Sequence, residues 1–117
     1  MADRRRLTKA ERQAVYDKIG GYCAYCGCSI TLSEMQADHI VPLHKGGADE
    51  VDNMLPACRS CNHYKSTLTM EQFRECVERW PEVLARDSVT YRNAVRFGLV
   101  SPTPHKVVFY FECQAGQ

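Results

Sequence analysis

Apolar positions recur at helical spacing soon after the chain begins. Thr8-Lys9-Ala10-Glu11 has the form of a capping box, Val15 and Ile19 follow four residues apart, and Gly20-Gly21 ends the run. This predicts a first helix that leads into Tyr22-Cys23-Ala24-Tyr25-Cys26-Gly27. Residues Met35 to Val41 predict a short strand, Pro42 and Gly46-Gly47 mark a long loop, and a second short strand is expected near Asn53 to Leu55. A loop of that length inside a small domain is a place to look for function. A helix is expected from Arg59 or Ser60 through Lys65, which puts Cys61, Asn62 and Lys65 in adjacent turns. Thr69-Met70-Glu71-Gln72 is a second capping box, and Phe73, Val77 and Trp80 form a helical stripe that Pro81 ends. Leu84, Tyr91 and Val95 predict one more helix, closed near Gly98. After a loop at Ser101-Pro102-Thr103-Pro104, the run Val107 to Phe111 has the β-branched and aromatic content of a terminal strand.

A chain of 117 residues has room for one domain with a modest core, and cores of that size often need a metal or disulfide staple. Seven cysteines supply the means, and an odd number argues against a fully paired secreted framework. Asp3-Arg4-Arg5-Arg6 is followed by a charged amphipathic stretch, unlike a signal peptide, and no apolar run is long enough to span a bilayer. The expectation is a protein of a reducing, cytoplasmic compartment with no membrane partner. Net charge is only +1, so the whole molecule is not a basic coat for nucleic acid. Locally, Arg4, Arg5, Arg6, Lys9 and Arg12 form a basic arm suited to phosphates.

Cys23 and Cys26 form one C-x2-C pair, and Cys58 and Cys61 form another. Two such pairs predict one tetrahedral zinc site, each pair giving two thiolates from one turn. A site filled by four thiolates has no open position for water, so this zinc is structural. Cys28 is expected to be a small buried side chain, because it leaves a one-residue gap from Cys26 in place of the knuckle's two. Any catalyst must lie elsewhere.

Between and after the pairs lie Asp38-His39-Ile40-Val41-Pro42, Gly46-Gly47, Asp52-Asn53, and Asn62-His63-Tyr64-Lys65 behind Cys61. The oxygens of Asp38 and Asn62 suit magnesium or manganese. His39, on the opposite face of an extended segment, is free to act on a water. Lys65, one turn from the ligand, can neutralise phosphate charge. His63 is the rival to Asn62, since neighbours on a helix point about 100° apart and both cannot face one ion. The residues alone leave both open.

Taken in order from Cys23 to Lys65, these pieces resemble the HNH motif of small bacterial and phage nucleases, homing endonucleases and one nuclease domain of RNA-guided DNA cutters. The resemblance implies an α+β fold with a ββα-metal (His-Me finger) core, stapled by the four-cysteine zinc site, with flanking helices and a short C-terminal strand. It implies one domain over 1–117, made of a basic N-terminal helix at 1–21, the zinc-stapled core at 22–67 and a helical extension with its strand at 68–117. The implied activity is metal-dependent hydrolysis of DNA with weak sequence preference, leaving 5′-phosphate and 3′-hydroxyl ends. His39 would be the general base, Asp38 a ligand of the single catalytic cation, and Asn53 the residue that fixes the loop and so orients His39. The third letter of the motif is Asn62 here, an H-N-N variant, which moves the cation toward magnesium or manganese. Arg59, Lys65 and the N-terminal arginines would hold the DNA backbone. One such site cuts one strand per event, so a nicking monomer and a homodimer are both open. Two other classes compete: a non-catalytic zinc module that binds nucleic acid, and a nuclease subunit that needs a partner.

Overall fold

In a computed structural model, which describes residues 6–115, Thr8 caps helix α1 (Lys9–Asp17) reciprocally. Its hydroxyl accepts from the Glu11 N–H at 3.1 Å, and the Glu11 carboxylate accepts from the Thr8 N–H at 3.0 Å. The helix buries Val15 against Ile30, Met35, Ala37 and Met54. Of these, Val15, Met35 and Met54 are almost wholly buried, and each such side chain contributes about 1.5–3 kcal/mol. Basic residues lock α1 in place. Arg12 donates to the carbonyls of Leu32 and Met35 at 2.7 and 3.0 Å, and the Lys18 ammonium donates to those of Val51 and Met54 at 2.5 and 2.7 Å. Arg12 is therefore a helix anchor, which removes it from the expected basic arm.

Strands β1 (Gln36–His39) and β2 (Met54–Ala57) pair antiparallel, with Asp38 opposite Leu55 and His39 opposite Met54. Two strands alone are marginal in water and must be covered. Helix α1 lies on β2, and α2 (Arg59–Lys65) lies against β1. Pro56 fits in β2 as a carbonyl acceptor only: its C=O takes the Ala24 N–H at 2.8 Å. Among the described residues the two strands form one sheet, and with α2 they make the expected ββα core within a mixed α and β fold.

The chain divides into two compact units, one running to Met70 and taking in the tail from Val108, the other spanning Glu71–Val107. The second unit contains α3 (Met70–Glu78), which begins at the unit boundary, α4 (Trp80–Asp87) and α5 (Val89–Arg96). Where one helix was expected after Pro81 there are two. Pro81 opens α4, since a proline costs nothing in the first turn, and Ser88 ends it and caps α5 by accepting from the Tyr91 N–H.

The expected terminal strand is a correction. Among the described residues, 107–109 pair with no strand, and Tyr110–Ala115 form helix α6. Glu112 accepts from the Phe109 N–H at 2.8 Å and starts the helix, while Phe109 packs edge-on against Tyr25 at 5.1 Å. Strand-favouring composition needs a free ladder to pair with. Here the Tyr110 and Phe111 N–H groups donate instead to the carbonyls of Tyr25 and Ala24 in the cysteine knuckle. No helix among the described residues is long and apolar enough to cross a membrane.

Candidate active site and metal centre

The knuckle is a tight loop closed by a bridge between Tyr22 and Ser29, with the Cys23 N–H on the Cys28 carbonyl at 2.8 Å. Gly27 is required in it. Its φ is +81°, and a Cβ there would press on the Tyr110 ring. Cys58 caps α2 by accepting from the Cys61 N–H at 3.3 Å, and this turn presents the second pair.

The sulfurs of Cys23, Cys26, Cys58 and Cys61 all lie within 4.8 Å of one another, and those of Cys26 and Cys58 are 3.9 Å apart. A tetrahedral ion with metal–sulfur bonds of about 2.3 Å needs sulfurs about 3.8 Å apart. The cluster therefore fits a four-thiolate metal. The proton distribution supports this: the thiol of Cys61 donates to Cys23, which pulls Cys23 down to about 4, while that bond and burial push Cys61 up. Cys28 is exposed, against expectation. Its side chain is turned outward in the knuckle, beside Cys26 and Cys58 but outside the group of four.

Asp38 sits in β1 with only 4% of its surface exposed. Its Oδ2 accepts from the Tyr25 hydroxyl at 2.6 Å and pairs with the Lys65 ammonium at 2.9 Å. Lys65 is completely buried and also donates to the His39 carbonyl at 2.8 Å. The expectation that Lys65 meets phosphate is corrected on this ground: an ammonium fully buried under the strand and bonded to Asp38 and His39 cannot reach a substrate. It fixes α2 to β1 and holds the Asp38 carboxylate. Tyr25 shares that task, and burial followed by the Asp38 charge pushes its phenol well above the ordinary range.

No described group bonds Asp38 Oδ1, and no buried side-chain oxygen or nitrogen is left without a partner, so Oδ1 is the oxygen that reaches solvent. The same reasoning applies to His39. It is 8% exposed, its Nε2 pairs with Asp49 Oδ1 at 2.9 Å, and its Nδ1 is the nitrogen that no described group bonds. Adjacent residues at the end of β1 thus keep one oxygen and one nitrogen that no described group bonds.

Asn53 closes the loop between the strands. Its side chain accepts from the Val41 N–H at 3.0 Å and donates to the carbonyls of Val41 and Ala48 at 3.0 and 2.8 Å, while its own carbonyl takes the Ile40 N–H. Gly47 is needed for this clamp, because a Cβ would run into the Val41 carbonyl and the Asn53 amide. Asn62 is half-buried in α2, about 60° around the helix from Lys65, whereas His63 is about 160° away, exposed, with its ring edge against Tyr64. Arg59 is exposed at the start of α2, and Arg6 is exposed before α1. Arg4 and Arg5 lie outside the described residues. Sequence reasoning missed Tyr25 and Asp49. Tyr25 carried no signal beyond its place in the knuckle, and Asp49 none beyond lying in the loop between Gly47 and Asn53.

Residues 23–67 match the HNH endonuclease family. The chain is 43% identical over 44 residues to the CRISPR-associated endonuclease Cas9 of Corynebacterium diphtheriae, covering 37% of this chain and 4% of that protein. It is 30% identical over 78 residues to YoqL, an SPbeta prophage-derived protein of Bacillus subtilis named as an HNH endonuclease, covering 57% of this chain and 33% of that one. The crystal structure of the Type II-C Cas9 enzyme from Actinomyces naeslundii superposes with a TM-score of 0.52 at 26% identity, over 62% of this chain and 8% of that one. The chain spans a third or less of the curated relatives it matches, and the likeness centres on the strands, loop and helix just described. The segment 23–67, which carries these strands, loop and helix, is the part of the chain that is similar to the HNH endonucleases.

Proposed function

We propose that this chain is a metal-dependent endonuclease that hydrolyses phosphodiester bonds in DNA. The observation that carries the reading is the pairing of an anchored Asp38, open at Oδ1, with a neighbouring His39, open at Nδ1. In this reading His39 takes the proton from the attacking water, and Asp38 with Asn62 holds magnesium or manganese. A hard cation held there supplies charge for the scissile phosphate and for the leaving 3′ oxygen. Asn62 is preferred to His63 because it shares the helix face of Lys65, whose bond to Asp38 ties α2 to β1. The four cysteines hold zinc as a structural staple, and with every position filled by sulfur that ion has no part in the reaction. Exposed Arg59 and the N-terminal arginines meet the backbone, which favours salt-sensitive binding with weak sequence preference.

The test is incubation of the zinc-loaded protein with supercoiled plasmid and magnesium or manganese, beside His39→Ala and an EDTA control, following nicked and linear forms. Nicking that disappears in both controls is expected. Cleavage that persists in His39→Ala would remove His39 from the reaction.

A further inference from the structure

We infer that Asp49 is a positioning residue that holds His39 in its Nε2–H tautomer, so that Nδ1 is the basic nitrogen. The inference rests on the nuclease reading for its catalytic consequence and on the structure for the tautomer. An ionised carboxylate only accepts hydrogen bonds. The 2.9 Å contact between His39 Nε2 and Asp49 Oδ1 therefore requires the proton on Nε2, and in the neutral ring the lone pair then falls on Nδ1. That nitrogen is the one that no described group bonds.

Asp49 is held where it can do this. It is 23% exposed, next to Ala48, whose carbonyl is bound by the Asn53 amide, while Asn53 also grips Val41, two residues from His39. One asparagine thus ties down both ends of the His39–Asp49 contact. The close approach of 41 to 47 that the clamp needs is open only to glycine. The catalytic value of the central asparagine then runs through Asp49, with no contact between Asn53 and the ring.

Two measurements test this. Long-range proton–nitrogen NMR on the zinc-loaded, ¹⁵N-labelled chain, at a pH where the ring is neutral, reads the tautomer with no need of activity. Protonated Nε2 and bare Nδ1 are expected, and a ring protonated on Nδ1 overturns the inference. The second compares Asp49→Asn with wild type on plasmid. An amide can donate as well as accept, so the isosteric variant releases the tautomer, and kcat should fall about 10²-fold or more with KM changed by less than about threefold. Wild-type kcat in Asp49→Asn overturns the positioning role. A wild type that shows the Nε2–H ring but cuts nothing defeats the nuclease reading instead, and the NMR result then stands by itself as support for the tautomer.

Discussion

Replacing Lys65 with methionine separates two roles that this lysine could have. The side chain is fully buried, keeps nearly the same volume in the variant, and loses only its ammonium. That ammonium is the cationic partner of an Asp38 that is 4% exposed, at 2.9 Å, and it also bonds the His39 carbonyl at 2.8 Å. Removing one member of a buried pair costs about 3–5 kcal/mol, because the other is left charged and uncompensated. An exposed lysine waiting for phosphate would cost less than about 1 kcal/mol. Urea unfolding of the zinc-loaded protein decides between them. With a slope of about 1–3 kcal/mol per molar, the midpoint should fall by at least about 1 M. Adding Asp38→Asn to Lys65→Met should recover part of the loss, with a coupling of about 2–3 kcal/mol in the double-mutant cycle. A loss under about 1 kcal/mol with no coupling would falsify the buried-pair reading and return Lys65 to the substrate.

Three further outcomes are expected. Tyr25 has its ionisation pushed upward by burial and by Asp38, so the stability it contributes is fully present below the ordinary tyrosine value of about 10 and is lost only as pH rises beyond it. In an ultraviolet titration Tyr25 should ionise only with alkaline unfolding, and a phenol that titrates normally in the folded protein would contradict the Asp38 contact. Zinc analysis should find one ion per chain, and its removal or Cys58→Ser should unfold the first unit, since structural zinc supplies about 10–16 kcal/mol, more than a small domain's whole stability. Circular dichroism that stays native after complete chelation would show the staple dispensable. Gly47→Ala should cost about 1–3 kcal/mol by driving apart Val41 and Asn53, and should lower nicking further than stability alone explains. Unchanged cleavage in this variant would mean the clamp does not serve His39.

The sequence by itself determined the local elements and the chemistry they carry. The capping box at Thr8 and Glu11, the paired C-x2-C turns, the short strand bearing Asp38-His39 and the helix bearing Asn62 are written in spacing, and local spacing decides hydrogen bonds between residues three or four apart. Tertiary structure decided whatever depends on which surfaces are covered. Lys65 and Arg59 sit in the same seven-residue helix, yet one is sealed against Asp38 and the other stands in solvent, a difference set by β1 lying across one face of α2. Asp49 gained its meaning only when Asn53 folded the loop back on His39. The strand-like tail became a helix because the knuckle offered its first N–H groups carbonyls and gave Phe109 a tyrosine ring to pack on. Composition sets what a side chain can do, and burial and partners, fixed by contacts distant in sequence, select which of those things it does.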